Sequence, residues 1–172
     1  MRTLSTRERR YNPIGYHLGT VWPHDNALIA AGCRNYGDAR AACRILTGLS
    51  EAATHFAHYR LPEVFAGFEK DEYGIPVDYP VACRPQAWAA GAIPFLVITC
   101  LGLQADAFAQ RLRIVQPVLP EFLQRLTVRR LRVGAACADI QFTRAADGAV
   151  AVEVLQVKGP LTVTVDNKGE HQ

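Results

Sequence analysis

The spacing of apolar positions changes once along the chain, from helical steps of three and four to strict alternation. Asp25 stands where a helix N-cap belongs, followed by Ala27, Leu28, Ile29, Ala30 and Ala31, and Gly37 provides a stop. This first helix is apolar on nearly every side, so burial on nearly every side is expected. Asp38 caps the next helix, in which Ala39, Ala42, Cys43, Leu46, Leu49, Ala53 and Phe56 form one amphipathic face about five turns long. A third helix begins near Pro85. The pattern then switches. Gln116–Pro120 closes the helical part, and Leu126–Val133 alternates. Ala136–Thr143 and Ala149–Val157 read as strands joined by the turn residues Ala145–Gly148, and Leu161–Val165 as a fourth strand. The tail Asp166–Gln172 is polar and expected to fray. The reading is an α+β chain: residues 1–115 helical, and residues 116–172 a small antiparallel β subdomain.

Two long stretches fit neither period. Tyr11–Asn26 holds two tyrosines, one tryptophan, two histidines and an aspartate. Arg60–Arg84 is punctuated by Pro62, Gly67, Gly74, Pro76 and Pro80, yet carries Phe65, Phe68, Tyr73 and Tyr79. Irregular segments this rich in aromatic and hydrogen-bonding groups suit the wall of a polar pocket better than a core.

The totals narrow the field. At 172 residues the chain holds one domain, or one and a small second, and its 49% hydrophobic and 20% charged content is globular. A net charge of +3 argues against a nucleic-acid partner. The densest basic patch, four arginines within Arg125–Arg132, has no interleaved aromatics and reads as a solvated edge strand. The uncharged run Ala87–Leu103 approaches membrane-spanning length, but Gly91, Pro94 and Thr99 interrupt it and no basic clusters flank it, so no membrane span is expected. The five cysteines form no C-x-x-C pair, which fits free thiols in a reducing cytoplasm, and the polar N-terminus carries no secretory core. His17 and His24 lie in one loop with no second ligand pair, so no metal and no cofactor are expected.

Three segments carry a resemblance. Tyr11–Asn26 with Gly37, Leu61–Gly67, and Tyr79–Trp88 (Tyr-Pro-Val-Ala-Cys-Arg-Pro-Gln-Ala-Trp) resemble, in order and spacing, the C-terminal part of the amylo-α-1,6-glucosidase family, which is glycogen-debranching-enzyme-like. Arg84 departs from the family pattern, where a small residue precedes Pro-Gln-Ala-Trp. The resemblance implies part of an (α/α)6 toroid acting on α-glucans with inversion. Twelve helices of about 12 residues with connections of about 6 need on the order of 200 residues, so most of a toroid lies outside this chain.

Glycoside hydrolysis needs two carboxyl groups flanking the scissile bond. Glu63, between Pro62 and the apolar Val64–Phe65, is the candidate base, and apolar neighbours are expected to raise its pKa. The resemblance implies the same role. It also implies that the general acid comes from an earlier connecting loop, which this chain lacks. Asp25 reads either as a helix cap or as a partner for sugar hydroxyls. Trp22 and Trp88 are candidate stacking platforms, with His24 and Gln86 as hydroxyl partners and Tyr16 and His17 in the same wall; each also reads as a packed loop or core residue. A non-catalytic carbohydrate-binding or assembly module is the competing function. Helices with more apolar surface than partners also suggest self-association through exposed faces.

Overall fold

The computed structural model describes residues 1–167. Two compact units divide it, 1–97 and 98–172, and the division falls within a helix. The α+β reading holds: helices come first and sheets follow.

In the first unit, α1 spans Pro23–Asn35. Its N-cap is Trp22 in extended conformation with Pro23 at the first helical position, where a missing N–H costs nothing. Asp25, expected as the cap, lies inside the first turn instead, where its charge favours the positive end of the helix dipole. The stop at Gly37 is as expected. With φ of +88° it takes the left-handed turn, its N–H bonds the Arg34 carbonyl, and the Asp38 N–H reaches back to the Cys33 carbonyl, both at 2.9 Å. This pair of bonds is a Schellman motif. Asp38 then caps α2, Ala39–Ala53, by accepting the Ala41 N–H at 2.9 Å. One three-residue link therefore ends one helix and starts the next. Replacing Asp38 with alanine removes that acceptor and should cost about 1 kcal/mol, read from urea unfolding.

The amphipathic face of α2 is buried at Ala42, Leu46, Leu49 and Ala53. Total burial of α1 is not seen. Ala27 and Ala30 are buried, whereas Leu28 and Ile29 are exposed, because a helix apolar all round finds covering neighbours here on only one side. The same holds for α4, Ala87–Leu101, where Ala89, Ala92, Leu96 and Cys100 are buried but Trp88, Phe95 and Ile98 are exposed. A short α3, Lys70–Tyr73, lies in the second irregular stretch. Among the described residues, no helix is long and apolar enough to cross a membrane.

Among the described residues, the second unit carries six strands in two sheets, and two of those strands lie before residue 116, inside the part read as helical. β1 (Leu103–Asp106) pairs antiparallel with β2 (Arg111–Val115), and β2 pairs parallel with β6 (Thr162–Asp166). β3 (Arg125–Val133), β4 (Ala136–Arg144) and β5 (Val150–Lys158) form an antiparallel meander. Ala136, Ala138, Ile140 and Phe142 point inward at every second position of β4, the burial that alternation predicts. The basic strand β3 is at the edge of its sheet, where arginines discourage further strand pairing. Asp166 ends β6, and the rest of the expected frayed tail lies, from residue 168, outside the described residues.

Candidate functional site

The site lies in the first unit and is built around an extended segment. Every residue from Leu61 to Gly67 is buried. Such a segment must pair its backbone polar groups internally. Phe65 does so on both sides, bridging Val21 and Asp78. The Val21 N–H bonds the Phe65 carbonyl at 2.9 Å, with the reciprocal bond at 3.1 Å. At one end, the Gly67 N–H bonds the Pro13 carbonyl at 2.8 Å and the Gly67 carbonyl accepts the Tyr11 hydroxyl at 2.7 Å and the Arg2 guanidinium. The two irregular stretches are thereby tied into one wall.

Glu63 is the charged residue in this buried segment and is 8% exposed. Cys83 grips it from both sides of the peptide. The Glu63 N–H donates to the Cys83 carbonyl at 3.2 Å, and the Cys83 N–H donates to Glu63 Oε2 at 3.2 Å. The Tyr16 hydroxyl donates to Oε1 at 2.9 Å. The Cys83 N–H first, and then the Tyr16 hydroxyl, hold the carboxyl below the ordinary carboxylate range; burial opposes them and the Cys83 and Gln86 side chains assist. The expected upward shift is therefore reversed. Apolar chain neighbours do desolvate Glu63, but donors from distant segments outweigh them. Reciprocally, the bond to Glu63 raises the Tyr16 pKa, with desolvation and the Glu63 charge adding to it.

Aromatic rings surround this carboxylate. Tyr16 meets His17 and Trp22 edge-on, with centroids 4.6 and 4.7 Å apart, and lies tilted against Tyr79 at 5.5 Å. Trp22 is 6% exposed, His17 stacks on its ring at 5.2 Å, and its indole N–H donates to the Tyr16 carbonyl and to Thr20 Oγ1, each at 3.1 Å. An open stacking platform at Trp22 is thus ruled out: the loop's own groups cover it. Trp88 is different. It is 45% exposed, and His24 stacks against it at 4.9 Å, nearly parallel.

Of the residues singled out by sequence, Glu63, Tyr16, Gln86, His17 and Trp22 gather in one cluster, and His24 with Trp88 forms a second pair. Asp25 is exposed in the first turn of α1. Sequence reasoning missed Tyr79 and Cys83. Cys83 is exposed; all five cysteines are free and only Cys100 is buried. Two cavities in this unit, of about 530 and 350 Å³, are both lined by Val21, Gly48 and Phe65 rather than by Glu63. Among the described residues, no three of His, Cys, Asp and Glu gather as metal ligands.

No protein-family model matches the chain, and no curated protein matches it.

Proposed function

We propose that the 1–97 unit forms one wall of the α-glucan cleft of an inverting glycoside hydrolase of the amylo-α-1,6-glucosidase type. The helices would then be the C-terminal portion of an (α/α)6 toroid. The observation that carries this reading is the buried Glu63 residue, whose carboxylate accepts donors from two other segments of chain and is walled by aromatic rings. A carboxyl group held below its ordinary range suits the base and not the acid, which needs a raised pKa to keep its proton. Oε1 accepts the Tyr16 hydroxyl and Oε2 the Cys83 N–H, which turns the carboxylate into one fixed orientation toward a water it could deprotonate.

In this mechanism Glu63 takes a proton from a water molecule as the water oxygen bonds to the anomeric carbon. The bond from that carbon to the bridging oxygen breaks, and an acid on another segment protonates the leaving oxygen. Trp88 offers its exposed face to the apolar side of a glucose ring, with His24 behind it. The acid is not in the site described, so the chain by itself should turn over negligibly. The five free thiols support placing the protein in the cytoplasm.

Glucose release from an α-1,6-branched oligosaccharide tests the proposal. Joined to a segment that supplies the acid, the chain should release glucose as the β-anomer, visible by proton NMR before mutarotation. Release as the α-anomer would contradict the inverting assignment. Full turnover by the chain alone would contradict the missing acid. The alternative, a non-catalytic carbohydrate-binding module, is favoured by the fact that both Glu63 oxygens already hold protein donors. It predicts sugar binding with no glucose release in either form.

A further inference from the structure

Tyr16 lies close enough to Glu63 to be taken for a second sugar contact, but its own bonds give it another task. Its hydroxyl has one proton, and that proton goes to Glu63 Oε1 at 2.9 Å. Toward a sugar it could only accept. Its backbone carbonyl is fixed from two directions, by Thr20 Oγ1 at 2.6 Å and by the Trp22 indole N–H at 3.1 Å. The indole N–H also reaches Thr20 Oγ1, which closes a small buried ring of bonds. The phenol itself is confined by His17, Trp22 and Tyr79. The main chain of Tyr16 is therefore fixed, and its ring, 37% exposed, rests against three aromatic neighbours before the hydroxyl meets the carboxylate.

We infer that Trp22, Thr20 and Tyr16 form a positioning relay that fixes the orientation of the Glu63 carboxylate, and that Tyr16 is not a sugar-contacting group. The inference rests on reading Glu63 as the base of the proposed cleft. It assigns the buried tryptophan a purpose: it holds the backbone of the residue that holds the carboxylate. The opposite oxygen is held by the Cys83 N–H at 3.2 Å, so the carboxylate is gripped at both oxygens and cannot rotate freely. The titratable groups facing the pair are His17 and Tyr79 on the phenol and Cys83 on the carboxylate. Arg84, next in the chain, is committed to Asp78 at 2.6 Å.

The test follows the Glu63 carboxyl carbon by NMR across an acid titration, in the wild-type chain and in Tyr16→Phe. Removing only the hydroxyl should weaken Glu63 as an acid about threefold or more, whereas Tyr79→Phe should leave it within error. The reciprocal variant guards against a folding failure: in Glu63→Gln the Tyr16 phenol should ionise at lower pH than in wild type. If Tyr16→Phe leaves the Glu63 titration unchanged, or if Glu63→Gln leaves the phenol unchanged, the relay is wrong. A parallel titration with maltotriose separates the two claims. A sugar-contact role predicts weakened binding in Tyr16→Phe with no change at Glu63, which overturns the relay. Absence of sugar binding by the wild type sinks the carbohydrate reading, while the carboxyl titration still decides the relay.

Discussion

Glu63→Gln should lower glucose release from a branched α-glucan by about three orders of magnitude once the chain is paired with a general acid, the range lost when a base is removed. KM should change little, because the amide keeps the shape of the side chain. The substitution should also fold. The amide oxygen can take the Cys83 N–H, and the amide N–H2 can donate to the Tyr16 oxygen once that hydroxyl turns its proton away. Activity within about tenfold of wild type would remove Glu63 from the base role.

The pH dependence follows from the same bonds. Glu63 is held below the ordinary carboxylate range when folded, so it adds stability at pH values above the unfolded carboxyl pKa. That contribution is lost as pH falls from the ordinary carboxylate range through the lower folded value. In Glu63→Gln the acid-side loss of stability should therefore be shallower, as read from urea midpoints over an acid pH series.

The largest structural effect is expected at Gly67. A Cβ built there would lie 1.8 Å from the Gly19 carbonyl oxygen, a backbone atom with no rotamer to yield. Gly19 cannot easily retreat: its φ is +156°, and its own Cβ position is 2.6 Å from the Asn12 carbonyl oxygen. Gly67 is pinned in turn by its bonds to Pro13 and Tyr11. Gly67→Ala should cost about 3 kcal/mol or more, near the upper end of overpacking effects. Gly48 makes the contrast. It lies within α2 with nothing within 4 Å of its Cβ position, so Gly48→Ala should stabilise by about 1 kcal/mol. Both tryptophans lie in the 1–97 unit, so fluorescence during urea unfolding reads its stability directly.

Local signals carried most of the fold. Gly37, Asp38 and the face of α2 are specified by residues within a few positions of one another, and the β4–β5 turn is set by Asp147 and Gly148. β1 and β2 were missed because each has at most five residues, too few for alternation to outweigh the apolar helix before them. The parallel pairing of β2 with β6 joins residues some fifty positions apart and has no local mark.

The site divides in the same way. Glu63, Tyr16 and Gln86 could be picked out because their side chains carry the chemistry. The Cys83 N–H that most lowers the Glu63 pKa could not, since every residue type but proline has one. Trp22 illustrates a further limit. An indole packed in a loop and an indole facing a sugar have the same sequence signature, and only the stacked His17 and the filled N–H distinguish them.

That distinction makes the central claim measurable. Trp22 is covered and Trp88 is 45% exposed, so sugar arriving at the proposed cleft should be reported by Trp88 alone. Titration with an α-1,6-branched maltooligosaccharide should give a saturable change in tryptophan fluorescence that disappears in Trp88→Phe and persists in Trp22→Phe. A wild-type signal that stays flat to millimolar sugar, or that survives unchanged in Trp88→Phe, would contradict the account.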